Sequence, residues 1–426
     1  MNKFIGLDVS ADKIDICWLE SELDIAPRDF YESPDFARHH EELPYDFSAA
    51  QYIQSLNPEV VILEPTGKYG RFWVESFRKL NIPFLLANQT FIKQTRKALG
   101  GSSNKNDSFD CLVLLECYFD KYVRRFDRRF WVLERTETIE QIRRLLLDLD
   151  SVTKKRTQII NSAKQRLKAE FPAKSNITSQ QQNGKLHADK LPAWWAWVAR
   201  WETTETWELR PCHKGRFEKD YKQAIESGNG CGFSDLTRAY AKQICLWHQS
   251  EAMLETELLK LMYTEEFDDA HRIFDQFGFG HRERAWVLVR VYPFDQLFLH
   301  LPKYRGKRRF RQALGAGSIE IQSGKSGERR QRTGCSEAYS HIQMYRQRVI
   351  EKGLVKQLSP SGEVEYTRYN TRLKSKVFTL LREYYTERLF DTNGRKKTKR
   401  ALQDANNATC RKICELLFES FWRLYH

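Results

Sequence analysis

Along the first 125 residues, short apolar runs alternate with stretches whose apolar positions recur every three to four residues. The runs at 3–9, 15–20, 60–64 and 83–87 have the length and composition of strands, the first two spaced as a hairpin. Between and after them, 48–55, 71–80, 91–99 and 108–122 carry helical periodicity. This alternation predicts an α/β layer with a mixed sheet over residues 1–125.

The period then changes. Residues 134–171 read as one long polar helix with Ile139, Ile142, Leu146, Leu149, Val152, Ile159 and Ile160 on its stripe, and Pro172 ends it. A second such helix runs over 234–263 through Leu236, Tyr240, Ile244, Trp247, Leu254, Leu258 and Leu261. The two would pair as an antiparallel arm, serve as a dimerising coiled coil, or belong to an ordinary helical domain; periodicity leaves these open. Between them, 173–232 is a polar, Trp-rich insertion without a recognisable motif, in which "WWAWVARW" reads as a local core. From 266 to 426 the chain is again mainly helical. There, the turn Phe277-Gly278-Phe279-Gly280 precedes a helix whose amide end suits a backbone phosphate. The expected division is 1–125, 126–265 and 266–426.

Charge sharpens the picture. The net +14 is uneven: residues 1–125 hold 15 Lys and Arg against 19 Asp and Glu (net −4), and residues 126–426 hold 55 against 37 (net +18). A basic surface interleaved with aromatic residues suits phosphate backbones and exposed bases. Six of the nine residues from 303 to 311 are basic (Lys303, Arg305, Lys307, Arg308, Arg309 and Arg311), and Lys325, Arg329, Arg330 and Arg332 follow. These are the candidates for nucleic-acid contacts, against the alternative of solvated faces. Nine cysteines without a CxxC pair argue against a disulfide framework and a standard zinc site, and Cys410 and Cys414 read as core-facing. The expected home is a reducing cytoplasm, with neither a signal peptide nor a membrane span in the sequence.

Candidate chemistry lies in the first 125 residues. Asp8 ends the first strand in "FIGLDVS", and Glu64 ends the strand "VVILE" before Pro65. Asp107 and Asp110 stand three apart at the start of a helix, facing one side. Ligands of α/β sheets gather at strand ends, and four carboxylates there would repel one another unless protonated or neutralised by cations. Hard oxygen donors select Mg²⁺ or Mn²⁺, and two such ions about 4 Å apart serve phosphodiester chemistry. Singly, each acid has a structural alternative: a helix cap, a favourable dipole charge or a turn residue.

Taken with these acids, the segments "GLDVS", "LEPTGKYG", "ALGGSSNKNDSFDC" and "ALGAGSIEIQSGK" resemble the DEDD transposases of the insertion-sequence family called IS one-ten, which includes Piv-type DNA invertases and recombinases guided by a bridge RNA. The resemblance spans most of the chain. It implies a RuvC-like, ribonuclease-H-fold amino-terminal domain, a coiled-coil arm and a carboxy-terminal transposase domain. It further implies that Asp8, Glu64, Asp107 and Asp110 are metal ligands and that Ser323, in "IQSGK", attacks DNA to give a phosphoserine-linked strand. Spacing alone does not separate Ser323 from Ser318 and Ser326. DNA, a guide RNA and a homodimer or tetramer are the implied partners, in a prokaryotic cytoplasm at the nucleoid. The alternatives are a related DNA invertase, a hydrolytic RuvC-like junction resolvase that needs the acids without Ser323, and a non-catalytic nucleic-acid-binding protein.

Overall fold

A computed structural model of the chain describes residues 3–65, 68–99, 107–127, 130–132, 135–176, 190–205, 207–323, 327–351, 376–389 and 399–426. They are mostly helical and form two compact units, Met1–Glu134 and Arg135–His426.

The first unit is built on a mixed sheet of β1 (Lys3–Val9), β2 (Lys13–Leu19), β3 (His40–Pro44), β4 (Pro58–Leu63) and β5 (Phe84–Leu86), in the order β3-β2-β1-β4-β5. β1, β2 and β3 pair antiparallel, while β4 and β5 extend the sheet in parallel from β1. Its helices are α1 (Pro27–Glu32), α2 (Phe47–Ser55), α3 (Lys68–Lys79), α4 (Gln89–Ala98) and α5 (Asp107–Tyr118). Alternation along β1 sends Ile5, Leu7 and Val9 into a core with Ile53 of α2 and with Trp73 and Phe77 of α3. On the opposite face, Cys17 and Leu19 of β2 and Val60 and Ile62 of β4 pack with Phe109, Leu112 and Leu115 of α5. Burial on both faces is why β4 reads as an unbroken apolar run. β3 carries no such signal: an edge strand with half-buried and exposed positions needs no apolar alternation, and its sequence is HEELP. The unit also extends past residue 125, because Trp131 bridges Ala87 and Phe130 is fully buried.

The second unit contains α6 (Glu137–Glu170), α7 (Ala193–Val198), α8 (Pro211–Glu226), α9 (Asp235–Met262), α10 (Asp268–Phe277), α11 (His281–Val291) and α12 (Lys303–Ala313). A hairpin of β6 (Gly317–Ser323) and β7 (Gly327–Thr333) follows, then α13 (Ser336–Tyr345), α14 (Lys376–Leu389) and α15 (Lys399–Leu424). α6 and α9 start at side-chain caps, Thr136 accepting from the Ile139 amide and Ser234 from the Thr237 amide. They run antiparallel within one chain: Arg166 bonds Ser234 and Thr237, Arg156 bonds His248, and Thr153 bonds Glu251.

Two cores form along this pair. Ile160, Ala163 and Leu167 of α6 join Ala241, Ile244 and Cys245 of α9, with Trp194 and Trp195 of α7 and Phe217 of α8 closing that end. At the other end Ile139, Ile142, Leu146, Leu149, Leu258 and Met262 share a core with α10 to α15, including buried Cys410 and Cys414. A boundary at 265/266 therefore falls inside one compact unit. Between the cores, Glu251 is buried and ion-paired to Arg156 at 2.5 Å and to Arg282 of α11 at 2.6 Å. No described helix is long and apolar enough to cross a membrane.

Candidate metal centre

The site begins with strand register. The β1–β2 hairpin sets Asp8 opposite Asp15, and alternation turns both toward the sheet face that α5 covers. α5 starts at Asp107, and three residues on, Asp110 lies on the same side of the helix. Close approach of α5 to β1 depends on Gly6, where a Cβ would meet the carbonyl oxygen of Cys111 at 2.0 Å. The outcome is that Asp8, Asp107 and Asp110 each offer a carboxylate oxygen, all within 4.8 Å of one another. Asp8 and Asp110 are buried and Asp107 is half-buried. Such a group could hold a metal ion, and an all-oxygen, anionic donor set suits a hard divalent cation.

Neighbouring groups fix and tune these acids. Arg96 of α4 forms an ion pair with Asp110, with a side chain only 19% exposed. The Cys111 thiol donates to the Asp15 carbonyl at 2.9 Å and the Asp107 carbonyl at 3.3 Å, tying α5 to β2. Burial, reinforced by the Asp8 charge, pushes the Cys111 pKa well above the ordinary thiol value, so it remains a protonated donor. On the exposed side, the Lys13 pKa is raised by its hydrogen bond to Glu42, with the Asp15 and Asp107 charges adding to the effect.

Three of the four expected acids come together, and Glu64 is not among them. β4 ends at Leu63, so Glu64 follows the strand rather than ending it. Leu7 pairs with Leu63, so Glu64 comes one residue after the partner of the residue before Asp8. It is half-buried. The residue before a proline is restricted in backbone conformation, which fits the break at Pro65.

The other expected site residues lie in the second unit. Ser323 is the last residue of β6, paired with Gly327 at the tip of the hairpin. Arg329 and Arg330 lie on β7 opposite Ile321 and Glu320, and Lys325 lies outside the described residues. Arg332 is exposed and stacks over the Tyr339 ring at 4.2 Å. On α12 the basic run divides. Lys303 and Lys307 both bind Glu419 of α15, at 2.8 and 2.5 Å, and Arg311 binds Glu415 at 2.8 Å. The i, i+4, i+8 spacing of these three makes one helix face an intramolecular ion-pair row. Arg305 and Arg308 are exposed, as is Tyr304, which accepts a hydrogen bond from Arg305 Nε at 3.0 Å; Arg309 is exposed as well.

Sequence reasoning missed Asp15, His40 and Arg96. The hairpin parity shared by Asp8 and Asp15 could have flagged the first; His40 and Arg96 arrive through tertiary packing. A scan against protein-family models and a search of curated proteins return no match to this chain.

Proposed function

We propose that the chain is a DNA transposase or site-specific recombinase of the IS one-ten kind, with a RuvC-like amino-terminal domain that binds Mg²⁺ or Mn²⁺. The observation that carries this reading is the convergence of Asp8, Asp107 and Asp110 within 4.8 Å on one sheet face. An antiparallel β1-β2-β3 meander extended by two parallel strands, with an acid near the end of the central strand, supports the ribonuclease-H-fold assignment.

Asp8, Asp107 and Asp110 would hold the cation, and Glu64 would join by rotation of its longer side chain. A bound divalent cation supplies charge neutralisation and polarises a phosphodiester oxygen. The Ser323 hydroxyl would be the nucleophile: its oxygen gives up its proton and bonds to phosphorus as the DNA oxygen departs and takes up a proton to become a hydroxyl, and the reverse reaction rejoins a strand without external energy. Arg305, Arg308 and the Tyr304 ring supply phosphate contacts and a stacking surface. A structured guide RNA, donor and target DNA, and a homodimer or tetramer are the partners of this activity.

Incubation of the full chain, with its copurifying RNA, on donor and target DNA tests this reading. Joined strands are expected for the native chain and none for Asp8→Asn. Cleaved products with free ends, and full activity in Ser323→Ala, would instead establish a hydrolytic junction resolvase.

A further inference from the structure

We propose that Asp15, oriented by His40, is a positioning residue of the cation site, with its second carboxylate oxygen accepting hydrogen bonds from water bound to the cation. This rests on the reading of Asp8, Asp107 and Asp110 as cation ligands. Asp15 stands directly opposite Asp8 across the β1–β2 pair. Side chains so placed have Cβ atoms about 4.5–5.5 Å apart, and like charges there are destabilising. Both residues are only 4% exposed, so water screens neither. A buried pair of like charges needs a positive partner between or beside its members.

The hydrogen bonding of Asp15 is asymmetric. Its Oδ1 accepts from His40 Nε2 at 2.9 Å, whereas its buried Oδ2 has no hydrogen-bond partner among the described residues. The His40 ring is held in turn by stacking on Phe36, at 5.2 Å between centroids and 20° between planes. The Asp15 backbone is pinned by the Cys111 thiol. Asp15 is thus a fixed carboxylate with one satisfied oxygen and one unused, on the sheet face of the triad. It does not belong to the group within 4.8 Å, so it is not a fourth member of the direct donor set, and a contact to the cation would run through water. Partners of this kind typically change metal affinity by about 10–100-fold.

The test is Mn²⁺ titration by calorimetry on the full chain, with melting curves in the absence and presence of Mn²⁺. Asp15→Asn keeps the acceptor for His40 and removes the charge. It should bind Mn²⁺ at least about tenfold more weakly yet melt no lower than the native chain when metal-free, because a like-charge contact has gone. A purely structural residue would not give that opposite pair of effects. His40→Ala should weaken Mn²⁺ binding by a smaller factor, and His40→Gln, whose amide can donate to Asp15, should restore most of it. These two variants keep the question decidable if Asp15→Asn fails to fold. Native Mn²⁺ affinity in Asp15→Asn, or in His40→Ala, overturns the proposal, with or without a lower melting temperature. Asp8→Asn separates the two readings: if the native chain takes up no Mn²⁺, or Asp8→Asn binds it equally well, the cation reading itself has failed and Asp15 falls with it.

Discussion

Gly6 decides whether the acids can meet at all. It sits two residues before Asp8, where any side chain would run into the Cys111 carbonyl on α5, one residue after Asp110. Gly6→Ala must therefore push α5 off the sheet, at a cost of about 1–3 kcal/mol as for other overpacked cores, measurable by urea unfolding, and should weaken Mn²⁺ binding alongside. Arg96 makes the complementary point. Its guanidinium neutralises Asp110 within the protein, so Arg96→Ala should lower the metal-free melting temperature and enlarge the rise produced by Mn²⁺. An unchanged Mn²⁺ response would show that Arg96 and the cation do not share Asp110. Asp8, Asp107 and Asp110 were legible in the sequence because strand alternation and an i, i+3 helix spacing are local properties. Asp15, His40 and Arg96 were not, because their roles depend on strand register and on a helix packed from elsewhere. Glu64 was legible as a residue after an apolar run, but whether it reaches the group depends on side-chain rotation that no pattern encodes.

Among the elements, α6 and α9 came directly from their 3.6-residue stripes, and their antiparallel pairing inside one chain was one of the open alternatives. The polar middle of that pair carries its own consequence. Glu251→Gln would leave Arg156 and Arg282 facing a neutral group in a largely buried setting. Breaking such a network costs about 3–5 kcal/mol, and urea unfolding of the full chain should show a loss of that order. The ion-pair row between α12 and α15 predicts a pH effect. Burial pushes Glu419 up, but hydrogen bonds from Lys303 and Lys307 outweigh it and set its pKa below the ordinary 4.5. A depressed folded-state pKa stabilises the fold above 4.5 and loses that contribution as pH falls through the folded value. Glu419→Gln should thus flatten the acid limb of the melting-temperature profile below pH 4.5 and leave its slope near neutrality unchanged. The insertion at 173–232 was opaque to sequence reading apart from its Trp cluster: α7 is short, and α8 buries few apolar residues, Phe217 and Ala224 among them. β3 was missed because an edge strand lacks an alternating signature.

At the scale of the whole molecule, the charge is carried by residues 126–426, net +18, while the acids lie in the near-neutral remainder. Part of that charge is spent internally on Glu415 and Glu419, so the proposed nucleic-acid binding should depend on the exposed Arg305 and Arg308 of α12. Arg308→Ala should weaken binding and make the slope of log affinity against log salt shallower by up to about 0.9, the value of one duplex phosphate contact; Lys303→Ala should alter stability more than this slope. The limit expected at 265/266 lies within the second compact unit because the base of the α6–α9 pair is buried with α10 to α15, a shared core that composition along the chain does not register. Light scattering with and without nucleic acid is expected to show a dimer or tetramer, and sequencing of copurified RNA a discrete structured species. The most direct test of phosphodiester transfer by the acids and Ser323 is mass spectrometry of peptides from a quenched reaction on DNA. The expected result is nucleotide mass attached at Ser323, present with Mg²⁺ and absent after chelation or in Asp8→Asn; a covalent link on another residue, or one formed equally well without divalent cation, would contradict it.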